Sequence, residues 1–246
     1  MLEVIKFYIL KGGFMFKIKP INFHLAFLFM LFFILTPKLS HAVGGVALGS
    51  TRLIYPLGDK QISLAITNSD KNSRFLIQSW IEDPNGNKTN DFILTPPLFV
   101  SKPKSENTLR IMFTGEGLPT DKESLYWLNS KAVPSIEKDD IKDKNVLQIA
   151  VLSRIKVFVR PKGLSVQSID APNMLTFAKS NNGIVINNPS PFYITLVNIK
   201  LDGKKLPGIM VPPMSKENIS EGSGNILTFQ TVNDFGANTP ETKISL

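Results

Sequence analysis

The chain has 246 residues, with 28 Lys and Arg against 20 Asp and Glu, two His and no Cys. That length allows one large domain or two ordinary ones, each with its own hydrophobic core. A formal charge of +8 with no Lys/Arg block and no basic-aromatic stripe argues against nucleic acid as the partner.

The first forty-two residues differ from the rest. Lys17 and Lys19 precede an unbroken apolar run from Leu25 to Leu35, followed by Pro37 and then Ser40-His41-Ala42. A basic segment, a short apolar segment and small residues at the cleavage site describe a secretory signal peptide, with cleavage after Ala42 and Met15 as an alternative start. The run is short for a membrane span. Residues 1–42 hold Lys6, Lys11, Lys17, Lys19 and Lys38 against Glu3, so half of the +8 leaves with them. Both histidines, His24 and His41, leave as well. Residues 43–246 therefore lack His and Cys, which excludes His-based triads, thiol nucleophiles and the usual zinc and haem ligand sets. No phosphate-binding glycine loop is present either. Carboxylate-only or Lys-based catalysis survives, but no arrangement of residues suggests it, so the expectation is a protein that is not an enzyme and needs no cofactor or metal.

From Val43 onward the chain is strand-like. Ile62-Ser-Leu-Ala-Ile-Thr67, Phe75-Leu-Ile-Gln-Ser-Trp-Ile81, Thr108-Leu-Arg-Ile-Met-Phe113 and Gly183-Ile-Val-Ile-Asn187 are short, β-branched or aromatic, and bounded by Asn, Asp, Gly or Pro. Asp83-Pro-Asn-Gly-Asn87 predicts a turn between two strands. Glu137 to Lys144 mixes charges and reads as a solvated loop. Nothing sustains a helical period. The pattern predicts an all-β chain of sandwich type. Arg160-Pro161-Lys162-Gly163 follows a strand that starts near Val146. Proline ends a ladder there, so the boundary is placed between domains 43–161 and 162–246.

Three features go beyond a plain sandwich. Val146 to Leu152 alternates so that Leu147, Ile149 and Val151 share one face; an ordinary interior strand has the same pattern. Arg52 and Lys156 each place a charge inside an apolar strand, where a lone base usually points to solvent. Glu123, Arg160 and Asp234 lie far apart in sequence, near predicted strand or domain ends, and nothing in the sequence pairs them.

Gly45 to Tyr55, Leu118 to Asn129, the run Leu147 to Pro161, Asn188 to Tyr193 and Val232 to Gly236 resemble, in order, the periplasmic pilus chaperones of PapD type, with most likeness to the type 1 fimbrial branch. The resemblance implies two immunoglobulin-like β-sandwich domains set at an angle. It implies a chaperone that binds pilin subunits in the periplasm and lends them an edge strand, roughly Asn145 to Leu152, with Leu147, Ile149 and Val151 filling the subunit's groove. Arg52 and Lys156 match the family's basic pair for the subunit's terminal carboxylate. Glu123, Arg160 and Asp234 match an interdomain salt-bridge set. Val151 and Lys156 are five residues apart, so a bulge or twist is expected between them. An outer-membrane usher is the implied recipient, and a second copy of the chain is a candidate cover for the free edge. Arg74 replaces a proline that in some relatives packs on the counterparts of Pro96 and Pro97, which puts a proline lock in doubt. The alternative reading is an exported fibre subunit or adhesin. Such subunits carry an N-terminal apolar extension and commonly a disulfide, neither of which follows Ala42 here. A carboxylate-dependent hydrolase is the enzymatic rival.

Overall fold

The computed structural model describes residues 44–135, 147–180, 183–219 and 224–246. The signal segment, its cleavage site and the charged loop Glu137 to Lys144 lie outside the described residues.

Nine strands fill the first half: β1 (Val46–Leu48), β2 (Arg52–Pro56), β3 (Ile62–Asn68), β4 (Phe75–Glu82), β5 (Phe92–Thr95), β6 (Leu98–Ser101), β7 (Ser105–Phe113), β8 (Ser124–Pro134) and β9 (Val151–Arg160). They form two sheets, β1-β3-β7-β5 and β2-β9-β8-β4-β6. All neighbours are antiparallel except β2 and β9, which run parallel. Alternation is clearest in β3 and β4, where Leu64, Ile66, Ile77 and Ile81 turn inward and their neighbours turn out. These residues meet Tyr55, Leu109, Ile111, Leu128 and Val157 in one core. Each such side chain stabilises the sandwich by roughly 1.5–3 kcal/mol relative to exposure. The expected turn joins β4 to β5. Its Asp83 carboxylate accepts the amides of Asn85 and Asn87, at 2.9 and 2.8 Å.

The second half contains β10 (Thr176–Ser180), β11 (Gly183–Asn188), β12 (Ile194–Leu201), β13 (Lys204–Lys205), β14 (Ile209–Val211), β15 (Ser215–Ile219), β16 (Ile226–Thr231) and β17 (Thr242–Ser245). One sheet is β10-β11-β15; the other is β13-β12-β16-β17, with β14 also paired to β12. Their core is a second, separate cluster around Ile186, Leu196, Ile199, Val211 and Leu227. The chain is thus two immunoglobulin-like β-sandwich domains. A single 3₁₀ turn, Ala171–Met174, is the helical element among the described residues.

Two sequence expectations need correction. The strand expected from Val146 begins at Val151. Ala132, opposite Val151, is the last β8 partner, and residues 147–150 form no ladder. Past that point Pro134 has no N–H to give, and the Gln148 side chain donates to the Pro134 carbonyl instead, at 2.6 Å. Nor do Arg74 and Pro96-Pro97 meet. Arg74 precedes Phe75, which pairs with Ser101, whereas the Pro97 carbonyl accepts from Ser79. The two positions sit at opposite ends of the β4–β6 ladder, about 16 Å apart at strand rise, so residue 74 does not contribute to packing at those prolines.

Candidate functional site

The parallel β2–β9 ladder sets Arg52 directly opposite Lys156. Paired residues on adjacent strands share a face, and their backbones are about 4.8 Å apart. Both side chains are half-buried. The Arg52 Nη1 donates to the Val232 carbonyl at 3.2 Å, and its guanidinium lies 5.8 Å from the centre of the Phe158 ring. Its Nε is buried without a partner. The Lys156 ammonium lies 5.9 Å from the Trp127 ring centre. Among the described residues neither cation has a carboxylate within 4.0 Å. Burial lowers the pKa of both. Asp234 and Glu123 oppose that shift at Arg52, whereas the Arg52 charge adds to it at Lys156. Two adjacent, partly desolvated cations are stabilised by an anion that accepts from both, and a carboxylate has the lone pairs to do so.

On its other side β9 pairs with β8 throughout, from Val151 to Val159. Since β2 covers only Lys156 to Arg160, residues Val151 to Ile155 have one edge with no pairing strand among the described residues. Leading into that edge, Leu147, Ile149 and Val151 are 83%, 66% and 55% exposed. Large apolar side chains in such a row are unusual on a soluble surface, and an unpaired strand edge beside them is a template for another strand.

No bulge separates Val151 from Lys156, because the β8–β9 register runs without a shift. The expected bulge rested on the idea that both residues must share a face. They do not. Val151 lies on the face of Ile155, Val157 and Val159, which joins the core; Lys156 lies on the opposite face with Phe158 and Arg160. One strand therefore offers apolar side chains from one face and a cation from the other.

Glu123, Arg160 and Asp234 come together. Arg160 Nε donates to Glu123 Oε1 at 2.7 Å, while its Nη1 and Nη2 grip both oxygens of Asp234 at 2.8 Å. Ser168 Oγ donates to Asp234 Oδ2 at 2.8 Å, and the Tyr193 amide donates to Glu123 Oε2 at 2.9 Å. Glu123 is 3% exposed, and burial pushes its carboxyl up against the opposing pull of Arg160 and the Tyr193 N–H. Burial also pushes Asp234 up, but the Arg160 hydrogen bonds and charge and the Ser168 hydroxyl outweigh it, so that carboxyl sits below its usual range. The Phe158 ring packs 5.5 Å from that of Tyr193 beside this network. Ser168 was not singled out by the sequence reading, and Tyr193 and Val232 lay within stretches that carry the resemblance without a role assigned to either; none of the three carries a periodic or charge signal. Arg154, which pairs with Glu82 at 3.1 Å and stacks 4.3 Å from Trp127, was detectable as a second base two residues before Lys156.

The family described as pili and flagellar-assembly chaperone, PapD N-terminal domain, matches residues 45–165. The PapD C-terminal domain of pili assembly chaperones matches residues 170–243. The probable fimbrial chaperone SfmC of Escherichia coli is 49% identical over 219 residues, 88% of this chain and 95% of its own length. The chaperone protein FimC of the same species is 44% identical over 215 residues, covering 86% and 89%. Among solved structures, the periplasmic chaperone SfaE superposes with a TM-score of 0.73 at 44% identity, covering 82% of this chain and all of that one. A chain of the Salmonella enterica complex of the SafA pilin with the SafB chaperone gives 0.74 at 28% identity, covering 84% and 99%. The chain belongs to the PapD-like family of pilus-assembly chaperones.

Proposed function

We propose that this protein is an exported, ATP-independent and non-enzymatic chaperone that binds pilin subunits in the periplasm and passes them to an outer-membrane usher. Export uses residues 1–42, with cleavage after Ala42; the working protein is a domain of residues 43–161 followed by one of residues 162–246. The pilin's terminal carboxylate is held by Arg52 and Lys156. That anchor sets the register in which the subunit meets the open edge of β9, where a slip of one residue would turn every side chain to the wrong face. Leu147, Ile149 and Val151 then enter the subunit's apolar groove. Glu123, Arg160 and Asp234 fix the angle between domains and so the distance between the anchor and the second domain.

One observation carries the reading: the open edge of β9, led into by exposed apolar residues at alternate positions, belongs to the strand that carries Lys156, and Lys156 faces Arg52 of β2 with no carboxylate partner for either cation among the described residues. An edge of this kind is a liability unless a partner strand covers it. The partner's carboxylate supplies the missing anion. Such a partner is recognised by shape and terminus more than by sequence, and strand pairing needs no nucleotide hydrolysis. Purification of the tagged protein from periplasm, followed by mass spectrometry of bound chains, tests the proposal. Recovery of pilin-like subunits with the wild type, but not with the Lys156→Met variant, is the expected result. Recovery from cytoplasm only, with residues 1–42 retained, would overturn the assignment to the periplasm.

A further inference from the structure

Next to the cation pair lies a cavity of about 170 Å³. Arg52 forms one wall; Phe158, Ile169, Phe192 and Phe235 line the apolar part, and the Glu123–Arg160–Asp234 network lines another part. Ile169 and Phe235 are 77% and 92% exposed, so neither is part of a core. Single exposed apolar residues need no explanation, but here two from separate loops flank one concavity that a half-buried cation also lines.

The rim is held in place. Asn233 Oδ1 accepts the amides of Phe235 and Ala237 at 3.1 and 3.0 Å. Gly236 has a φ of 82°, and it abuts Thr51 Oγ1 so closely that a side chain has no room. Val232, at the start of this loop, is the residue whose carbonyl binds Arg52. The loop carrying Phe235 is thus tied to the two residues at the head of β2. A preformed site costs a ligand less ordering than a mobile one.

We propose that this cavity is a specificity pocket for the side chain of the client's C-terminal residue, and that it favours an aromatic one. The inference rests on the reading that Arg52 and Lys156 hold the client's terminal carboxylate. Given that anchor, the terminal residue's side chain springs from the carbon bearing the carboxylate, so it is the client group that must lie beside Arg52. The size fits a ring: an apolar cavity of about 150 Å³ accommodates benzene. Phe158, Phe192 and Phe235 offer ring faces and edges for offset or edge-to-face contact. A terminal glycine would leave the pocket unfilled.

The test uses the mature chaperone and synthetic hexapeptides of one fixed alternating apolar body, ending in Phe, Leu, Ser or Gly, each as free acid and as amide. Affinity is read by NMR titration. The Phe acid is expected to bind about ten- to a hundredfold tighter than the Gly acid. In Ile169→Ser and Phe235→Ser this preference should shrink to within about threefold, with affinity for the Gly acid unchanged and the thermal melt unmoved. Equal binding of the Phe and Gly acids, each still far tighter than its amide, would overturn the pocket and leave the carboxylate anchor standing. A Phe amide as tight as the Phe acid would instead overturn the anchor, and the pocket with it. Failure of every acid to bind at millimolar peptide would overturn both.

Discussion

Arg52 and Lys156 face each other across the parallel β2–β9 ladder of the first domain, with no acidic side chain paired to either among the described residues. Their juxtaposition is set by β2 joining β9 in a register that runs from Arg52↔Lys156 to Pro56↔Arg160. Lys156→Met removes the charge and keeps most of the stem that packs near Trp127. It should leave the circular dichroism spectrum and melt unchanged and weaken client binding by two to four decades, the scale for losing one partner of a desolvated, hydrogen-bonded charge pair (about 3–5 kcal/mol). A pull-down and a melt on the same sample check both halves. Normal capture of a pilin would remove Lys156 from the anchor.

Ile149 distinguishes a lent strand from a buried one. At 66% exposure, Ile149→Ser should cost the free protein no more than about 0.5 kcal/mol. Both tryptophans, Trp80 and Trp127, lie in the first sandwich, so denaturant melts followed by their fluorescence report on the domain concerned. Binding of a pilin should fall sharply, because a hydroxyl would enter an apolar groove without a partner. A loss of several kcal/mol in the free protein would place Ile149 in the core and end the donor-strand reading there.

Removing Arg160 should be more damaging than removing either partner alone. Arg160→Met would leave Glu123, 3% exposed, as an uncompensated buried charge, at a cost of about 3–5 kcal/mol. Adding Glu123→Gln should recover a large part of that loss, since the stranded charge is then gone. Calorimetry of the single and double variants measures the recovery; its absence would mean that the network matters for packing rather than for charge.

The same network predicts a pH response with opposite signs at its two carboxylates. Asp234 is held below the ordinary aspartate value of about 3.9, so its contribution is fully present above that value and is lost as pH falls through its folded value. Glu123 is raised, so the folded protein takes up its proton before the unfolded chain does, and its share of stability grows on acidification toward about pH 4.3. Urea melts between about pH 3 and 7 should show the advantage of wild type over Asp234→Asn shrinking below about pH 4. Its advantage over Glu123→Gln should increase as the pH drops from neutral. Trends of the same sign in both variants would contradict this division of labour.

Much of this protein was legible in the sequence. Period-2 alternation in β3, β4 and β11, punctuated by Asn, Asp, Gly and Pro, dictates short strands because alternate side chains must share a face. The Asp83 turn followed from a carboxylate that can accept its own loop's amides. The loss of His and Cys beyond residue 42 bounded the chemistry without any coordinates. Pairing was not legible. Local pattern carries no information about which strand lies beside which, so the parallel ladder joining Arg52 to Lys156, 104 positions later in the chain, exists only once the sheet forms. The same holds for Arg160, which meets Glu123 and Asp234 across sequence separations of 37 and 74 residues. Alternation alone also could not tell a core strand from an offered one. Leu147, Ile149 and Val151 have the same pattern as Ile155, Val157 and Val159, and what separates them is that the β8 ladder ends at the Ala132–Val151 pair and β2 covers β9 only from Lys156 onward. Burial is a property of neighbours, and the neighbours are assigned by tertiary structure.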